Sequence, residues 1–204
     1  MLVANWEYDS IIPADVDFWR SSANAVYTFT SDGERYFLRV APIEEKDPQK
    51  VLAELEFLDY LKKTGYPVVE AVPAKDGNDM VVRDTPWGKY IAVVFRQMPG
   101  DDLEEIGSAY SDNLFFGFGE MLGRLHLLSV NYVPEKRRPD WKQNLQRADE
   151  TLKLYSTPEN AIKEVAILNK FFESLPITTE NYGLVHYDFE MDNVFLTNLL
   201  NDMV

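Results

Sequence analysis

The chain has 204 residues, enough for one large domain or two small lobes. Hydrophobic residues make up 46% and charged residues 26%, and the formal net charge of −14 argues against a nucleic-acid partner while suiting either a cationic substrate or solubility alone. With no cysteine and only 2 histidines, disulfides, thiolate zinc sites, Cys nucleophiles and His-rich metal sites are excluded. Met1 to Glu7 has no basic n-region and no long apolar stretch, so no signal peptide is expected. The most apolar run, Ile91 to Phe95, is far too short for a bilayer, so no membrane span or membrane partner is expected and the cytoplasm is the expected compartment.

In chain order, Asn24 to Thr30 is rich in strand formers, Ser31-Asp32-Gly33-Glu34 reads as a turn, and Arg35 to Ala41 as a second strand, together a hairpin. Pro48 to Lys63 reads as a helix with Leu52, Leu55, Leu58 and Leu61 on one face, Pro48 in its first turn and Gly65 after its end. Tyr66 to Ala74 is extended and holds two prolines, which fits an edge strand. Asp76 to Asp79 is a turn. Met80 to Arg83 and Lys89 to Gln97 form a strand pair around Pro86-Trp87-Gly88. Pro99-Gly100-Asp101-Asp102 is the expected boundary between two lobes, 1–98 and 99–204. Beyond it the apolar period changes from two to 3.6. Leu114 to Ser129 reads as a helix with Phe115, Phe118, Leu122 and Leu125 on one face. Tyr132 to Trp141 is a basic, proline-broken surface connection. A helix over 158–174 carries Ile162, Val165, Ala166 and Phe172, with Asn169 interrupting the stripe. Gly183 to His186 is expected to be a short strand. Strands first and helices after give an α+β class.

The segment from Val185 to Phe195 carries the chemistry. His186, Asp188 and Asn193 form the pattern H-x-D-x-x-x-x-N between short apolar stretches. A carboxylate such as Asp188 orients a hydroxyl and takes its proton, and an amide such as Asn193 offers a hard oxygen to Mg²⁺. The spacing lets a tight loop point both side chains at one phosphate. His186 is expected to brace the loop through hydrogen bonds. Read alone, the same letters also fit an acidic surface turn between two strands.

The segments upstream add order and spacing to this pattern. They are Asn24 to Tyr27, Tyr36 to Val40, Glu54 to Leu58, Tyr66 to Val69, Met98-Pro99-Gly100 and Leu122 to His126. With the 185–195 loop they resemble the aminoglycoside phosphotransferase and choline kinase family, from about residue 20 to the end. The resemblance implies a protein-kinase-like two-lobe fold: an antiparallel-sheet small lobe and a mainly helical large lobe. It implies an ATP-dependent phosphotransferase with ATP and Mg²⁺ as cofactors. The acceptor would be a small-molecule hydroxyl, as in aminoglycosides, choline, homoserine or sugar derivatives, or a protein Ser/Thr. It makes Asp188 the catalytic base and Asn193 the metal ligand. Arg39 takes the place of the cation on the α- and β-phosphates, where many relatives have Lys, and Glu54 that of its helix partner, with Glu56 as the alternative. Arg96 to Met98 become the hinge that offers backbone groups to adenine. Phe37 packs on the base or in the core, Asp102 reaches the ribose, and His126 is a satisfied core histidine.

Two features depart from that family. The phosphate loop, Arg20-Ser21-Ser22-Ala23-Asn24, has no glycine, so Ser22 and its neighbours approach phosphates less closely. The family's second metal-binding Asp follows the Asn by one hairpin. Asp188-Phe189-Glu190 has similar letters but holds the base position, and Asp202 is followed only by Met203-Val204. Met203-Val204 is then expected to begin the strand leading to that Asp. On this expectation the 204 residues alone are catalytically silent, lack cover on the large-lobe helices, and self-associate through that surface.

Overall fold

The computed structural model describes residues 2–9, 16–102, 111–155, 159–197 and 202–203. The first strand, β1 (Asp17–Ser21), leads through Ser22-Ala23-Asn24 into β2 (Ala25–Ser31). The sequence reading placed no strand before Asn24. β1 is exposed along its whole length and a register break between Phe18 and Arg20 spoils its alternation, so it leaves no period-two trace. Asp32 and Gly33 both have positive φ, 52° and 77°, the backbone of a tight hairpin turn. Their amides donate to the two carboxylate oxygens of Asp9, at 2.6 and 3.1 Å. These bonds hold the Asp9 carboxyl below its usual range. The turn delivers β3 (Glu34–Pro42), antiparallel to β2 as expected.

Helix α1 (Pro48–Lys63) has the expected bounds. The Asp47 carboxylate caps it by accepting from the Gln49 amide, and Gly65 ends it with φ of 73°. The buried set differs from the expected leucine stripe. Val51, Leu55 and Leu61 are buried, Leu52 and Leu58 are half-buried, and Ala53 and Phe57 are buried as well. The helix is covered on two sides, which a single stripe does not anticipate. Val51 and Leu55 pack on the sheet, while Phe57 meets the Tyr132 ring at 4.9 Å.

Only Ala71–Val72 of the expected edge strand pairs, as β4. β5 (Val81–Thr85) and β6 (Gly88–Arg96) form the second hairpin. The sheet order is β1-β2-β3-β6-β4, with β5 also on β6. Val3 and Trp6, which the sequence reading left unassigned, fill the centre of one sheet face with Phe29, Leu38 and Val94.

β7 (Asp101–Asp102) follows Pro99-Gly100. Helix α2 (Asp112–Val130) is capped by Ser111, whose hydroxyl accepts from the Leu114 amide. On α2, Leu125 and Ser129 are buried, Phe118 and Leu122 half-buried and Phe115 half-exposed. His126 is exposed, so it is no core histidine; it sits one residue past the buried Leu125, on the open side of the helix.

Contacts divide the chain into two units, 1–136 with 185–204, and 137–184. The second unit is a helix pair, α3 (Trp141–Leu154) and α4 (Glu159–Ser174). The sequence reading had no helix at 141–154, yet a capping box signals its start: Asp140 accepts from the Gln143 amide, and Gln143 accepts from the Asp140 amide. Trp141 meets Phe172 at 5.3 Å between ring centroids. On α4, Val165 is buried and Ala166 is exposed, contrary to the expected stripe, while Asn169 turns back to donate to the Val165 carbonyl. Among the described residues no helix is long and apolar enough to cross a membrane. Gly183 to His186 forms no strand: the run is short, Val185 is exposed, and no neighbouring strand receives it. In the first unit, β8 (Phe195–Thr197) pairs with β7 on one side and β9 (Asp202–Met203) on the other.

Candidate active site

β3 alternates its side chains across the sheet. Tyr36, Leu38 and Val40 join the core around Trp6, so Phe37 and Arg39 take the opposite face. Register places Arg39 beside Val93 and Phe37 beside Phe95 on β6. The Arg39 guanidinium lies 4.9 Å from the centroid of the Phe95 ring, and its Nη1 donates to Glu54 Oε1 at 2.7 Å. Both side chains are largely shielded, 21% and 24% exposed, so this pair is screened less than a surface one. Nη2 of Arg39 is buried and has no partner. An orphaned donor of that kind is costly, and an anion placed against it removes the cost.

Glu56 does not compete for Arg39. Its carboxylate accepts from the Tyr132 hydroxyl at 2.6 Å and from the amides of Glu135 and Lys136 at 2.7 and 3.1 Å. The Tyr132 hydroxyl, then these amides, hold it below the usual carboxylate range. Its role is to fasten the segment after α2 to α1. Two further bonds join the same elements: Tyr60 to the Leu128 carbonyl at 3.0 Å and Arg124 to the Gly65 carbonyl at 2.7 Å.

At the hinge, the Arg96 amide donates to the Glu70 carbonyl and the Gln97 amide to the Arg35 carbonyl. Among the described residues this leaves Met98 with an open amide and Arg96 without one. The Ser22 amide closes its own turn by donating to the Asn24 carbonyl at 3.1 Å. Asp102 lies in β7 opposite Phe195.

The 185–195 loop folds back on itself. Asn193 Nδ2 donates to the Asp188 carbonyl at 3.2 Å and to Asp188 Oδ2 at 3.4 Å. The two side chains thus adjoin, and the amide orientation leaves Asn193 Oδ1 for a cation. Tyr187, just before Asp188, holds φ of 67°, a strained backbone for a bulky residue and one that often marks a functional loop. His186 meets Phe189 edge-on at 5.3 Å, so among the described residues it braces the loop through a ring contact. Phe189 packs on Phe118 of α2 at 4.6 Å, and Val194 is buried in the same cluster.

The sheet carrying a shielded Arg–Glu pair, followed by a loop that joins Asp188 to Asn193, matches a known family. The model of the phosphotransferase enzyme family matches residues 17–203. The chain belongs to this family. It is similar to the amicoumacin kinase of Bacillus subtilis (strain 168), 29% identical over 186 residues, which cover 87% of this chain and 53% of that protein. A solved amicoumacin kinase in complex with AMP-PNP and Ca²⁺ superposes with a TM-score of 0.82 at 24% identity, over 95% of this chain and 58% of that one. A microcompartment-associated aminopropanol kinase gives 0.71 at 19% identity, over 98% of this chain and 64% of that one. At such identities these structures establish the protein-kinase-like fold. The chain spans about half the length of the amicoumacin kinase sequence it matches.

Three residues of the site escaped sequence reasoning. Phe95 under Arg39 and Phe189 under the loop look like ordinary core aromatics in sequence, and only strand register or a tertiary contact separates them. Gly100 is expected only as part of the lobe boundary and of the Met98-Pro99-Gly100 segment. Its φ is 99°, and an added Cβ would overlap the Leu196 carbonyl oxygen and lie 2.7 Å from its carbon. The hinge thereby rests directly on β8, the strand leaving Asn193. Gly100→Ala is expected to cost about 2–3 kcal/mol, the scale of backbone strain, and chemical denaturation checks this.

Proposed function

We propose that this chain carries the nucleotide clamp and catalytic loop of an ATP-dependent phosphotransferase acting on a hydroxyl of a small molecule. Residues 1–98 are the nucleotide-binding lobe and residues from 99 onward belong to the large lobe. The observation that carries this reading is the buried, unpartnered Nη2 of Arg39, held beside Glu54. It fits a phosphate oxygen, and the Asp188–Asn193 loop fits the other end of the reaction. Bound ATP with Mg²⁺ supplies the phosphoryl group and neutralises its charge.

Each residue then has a defined task. Arg39 uses one nitrogen on Glu54 and presents the other to the α- and β-phosphates. Met98 offers its amide to the base, with Phe37 on the same sheet face as Arg39. Asn193 offers Oδ1 to the metal while its Nδ2 steadies Asp188. Asp188 orients the acceptor hydroxyl and takes its proton. The net charge of −14 favours a cationic acceptor. A structure of the same fold is named for aminopropanol, an amino alcohol, which makes that class a natural first acceptor to assay.

Arg39→Ala is expected to weaken Mg-ATP binding by roughly tenfold or more, the loss of a charge-assisted contact. Arg39→Lys should recover little of it, because an ammonium neither stacks on Phe95 nor forks between Glu54 and phosphate. Titration calorimetry with Mg-ATP tests this; parental affinity in Arg39→Ala would remove the assignment. A chain that binds Mg-ATP through Arg39 yet phosphorylates no hydroxyl acceptor would mark the second reading, a kinase-like domain that holds nucleotide without transfer.

A further inference from the structure

We infer that Arg20 is a second phosphate-binding cation, placed against the terminal phosphate by a β-bulge that stands in for the missing glycine loop. This inference rests on the nucleotide reading given above. Before the bulge, Asp17 pairs with Thr28 and Phe18 with Tyr27. After it, Arg20 pairs with Val26 and Ser21 with Ala25. Without the extra residue Arg20 would oppose Ala25. Ala25 pairs with Val40, and Val40 is a core residue, so Arg20 would then share the core-facing side of the sheet. The bulge moves it to the other side. Val26, its actual partner, is itself paired with Arg39. Arg20, Val26 and Arg39 therefore form one row across three strands, on one face, with the two arginines roughly 10 Å apart by the usual strand spacing. Bulges commonly re-aim a side chain in this way beside a site.

Trp19, the bulged residue, turns to the same face. Its ring meets Phe37 at 5.9 Å, edge to face, and Arg35 lies over both rings. The bulge thus sends an aromatic toward the base end of the row and a cation toward the phosphate end.

The far end of Arg20 fixes which phosphate it meets. Its Nη1 lies 3.9 Å from Asp192 Oδ2, at the residue next to Asn193. Arg20 therefore reaches the metal-binding end of the loop, where the transferred phosphoryl group must lie if Asp188 is to act on it. The contact is long and Arg20 is 56% exposed, so the guanidinium is parked rather than locked. Oδ1 of the same Asp192 is buried and unpartnered, which shows a carboxylate not yet settled by its protein neighbours. A glycine-rich loop would supply amides here. In this chain the Ser22 amide is used within its own turn, and Arg20 supplies the positive charge instead.

The test compares nucleotides that differ in the terminal phosphate, on the 204-residue protein, by calorimetry. Arg20→Ala should raise the Kd for Mg-AMP-PNP roughly tenfold, the size of one charge-assisted hydrogen bond, and leave the Kd for Mg-ADP unchanged. Arg20→Gln, which keeps part of the stem and a polar end but removes the charge, should give the same split. Equal weakening of both nucleotides, or of neither, would overturn the inference. Arg39→Ala serves as the reference: it should weaken both nucleotides together. If Arg39→Ala changes neither, the nucleotide reading itself has failed, and that result is distinct from a failure of Arg20 alone.

Discussion

On the proposed phosphotransferase reading, Asp188→Asn should lower turnover by roughly 10²–10⁴-fold, the usual range for a lost general base, and leave Mg-ATP affinity nearly unchanged. Absence of turnover in the parent would favour the reading of a nucleotide-holding domain without transfer. The substitution keeps the shape of the side chain, its remaining amide oxygen can take the place of Asp188 Oδ2 as acceptor from Asn193 Nδ2, and the bond to the backbone carbonyl is untouched. The loop, anchored by Phe189 on Phe118 and by the buried Val194, should stay folded. Only the capacity to take a proton is removed. Because the phosphate contacts proposed for Arg39 and Arg20 lie on the sheet, binding and turnover should separate. The assay is transfer to a small amino alcohol, followed by mass shift, beside calorimetry on the same preparation. A variant that turns over at the parental rate would place the base elsewhere. A variant that loses nucleotide binding to the same degree as turnover would make Asp188 a loop-forming residue rather than a base.

The sequence disclosed those parts of the site whose physics is local. The 34–42 strand and the Pro48–Lys63 helix were legible because alternation, a capping Asp47 and a stop at Gly65 lie within a few residues of each other. Their pairing through Arg39 and Glu54 is implied by the family resemblance rather than by local pattern, and the two side chains do meet. What escaped was set by distant contacts. β1 carries a bulge, so its apolar and polar residues do not alternate, and no periodic signal reports it. Glu56 reads as the alternative partner for Arg39, behind Glu54; its bonds to Tyr132 and two backbone amides, which no local pattern reports, give it another role. His126 reads as a core histidine only on the general expectation for a helical histidine, yet it lies one step past the buried Leu125, and one step along a helix is a rotation of about 100°, enough to move from the buried side to the open one. The helix at 141–154 was hidden for another reason. It has no fully buried residue, but Trp141, Leu145, Ala148 and Leu152 recur at helical spacing and Asp140 caps it, so this helix is legible in the sequence, and it is the basic, proline-broken stretch before it that hides it.

Trp6→Ala should destabilise the protein by roughly 3–5 kcal/mol, the cost of emptying a large buried aromatic site. Trp6 is only 2% exposed, and it sits among Val3, Phe29, Leu38 and Val94 on the sheet face opposite Arg39. Its indole N–H donates to the Val72 carbonyl at 2.8 Å, so truncation also leaves an acceptor without its partner. The surrounding segment is stitched down on both sides: the Lys75 amide donates to the Asn5 carbonyl, and the Asp9 amide to the Thr30 carbonyl. These bonds limit how far the backbone can collapse into the space left behind, which places the loss toward the upper part of the range. The proposed nucleotide face is on the other side of the sheet. The folded fraction of Trp6→Ala should therefore bind Mg-ATP with parental affinity, and saturating nucleotide should raise its melting temperature through linkage. Urea denaturation with and without Mg-ATP measures both quantities. A loss below about 1 kcal/mol, within the range of an ordinary surface substitution, would show that the N-terminal segment does not complete the core. A large fall in affinity with little change in stability would instead couple the two faces of the sheet, and the division between a structural face and a nucleotide face would have to be abandoned.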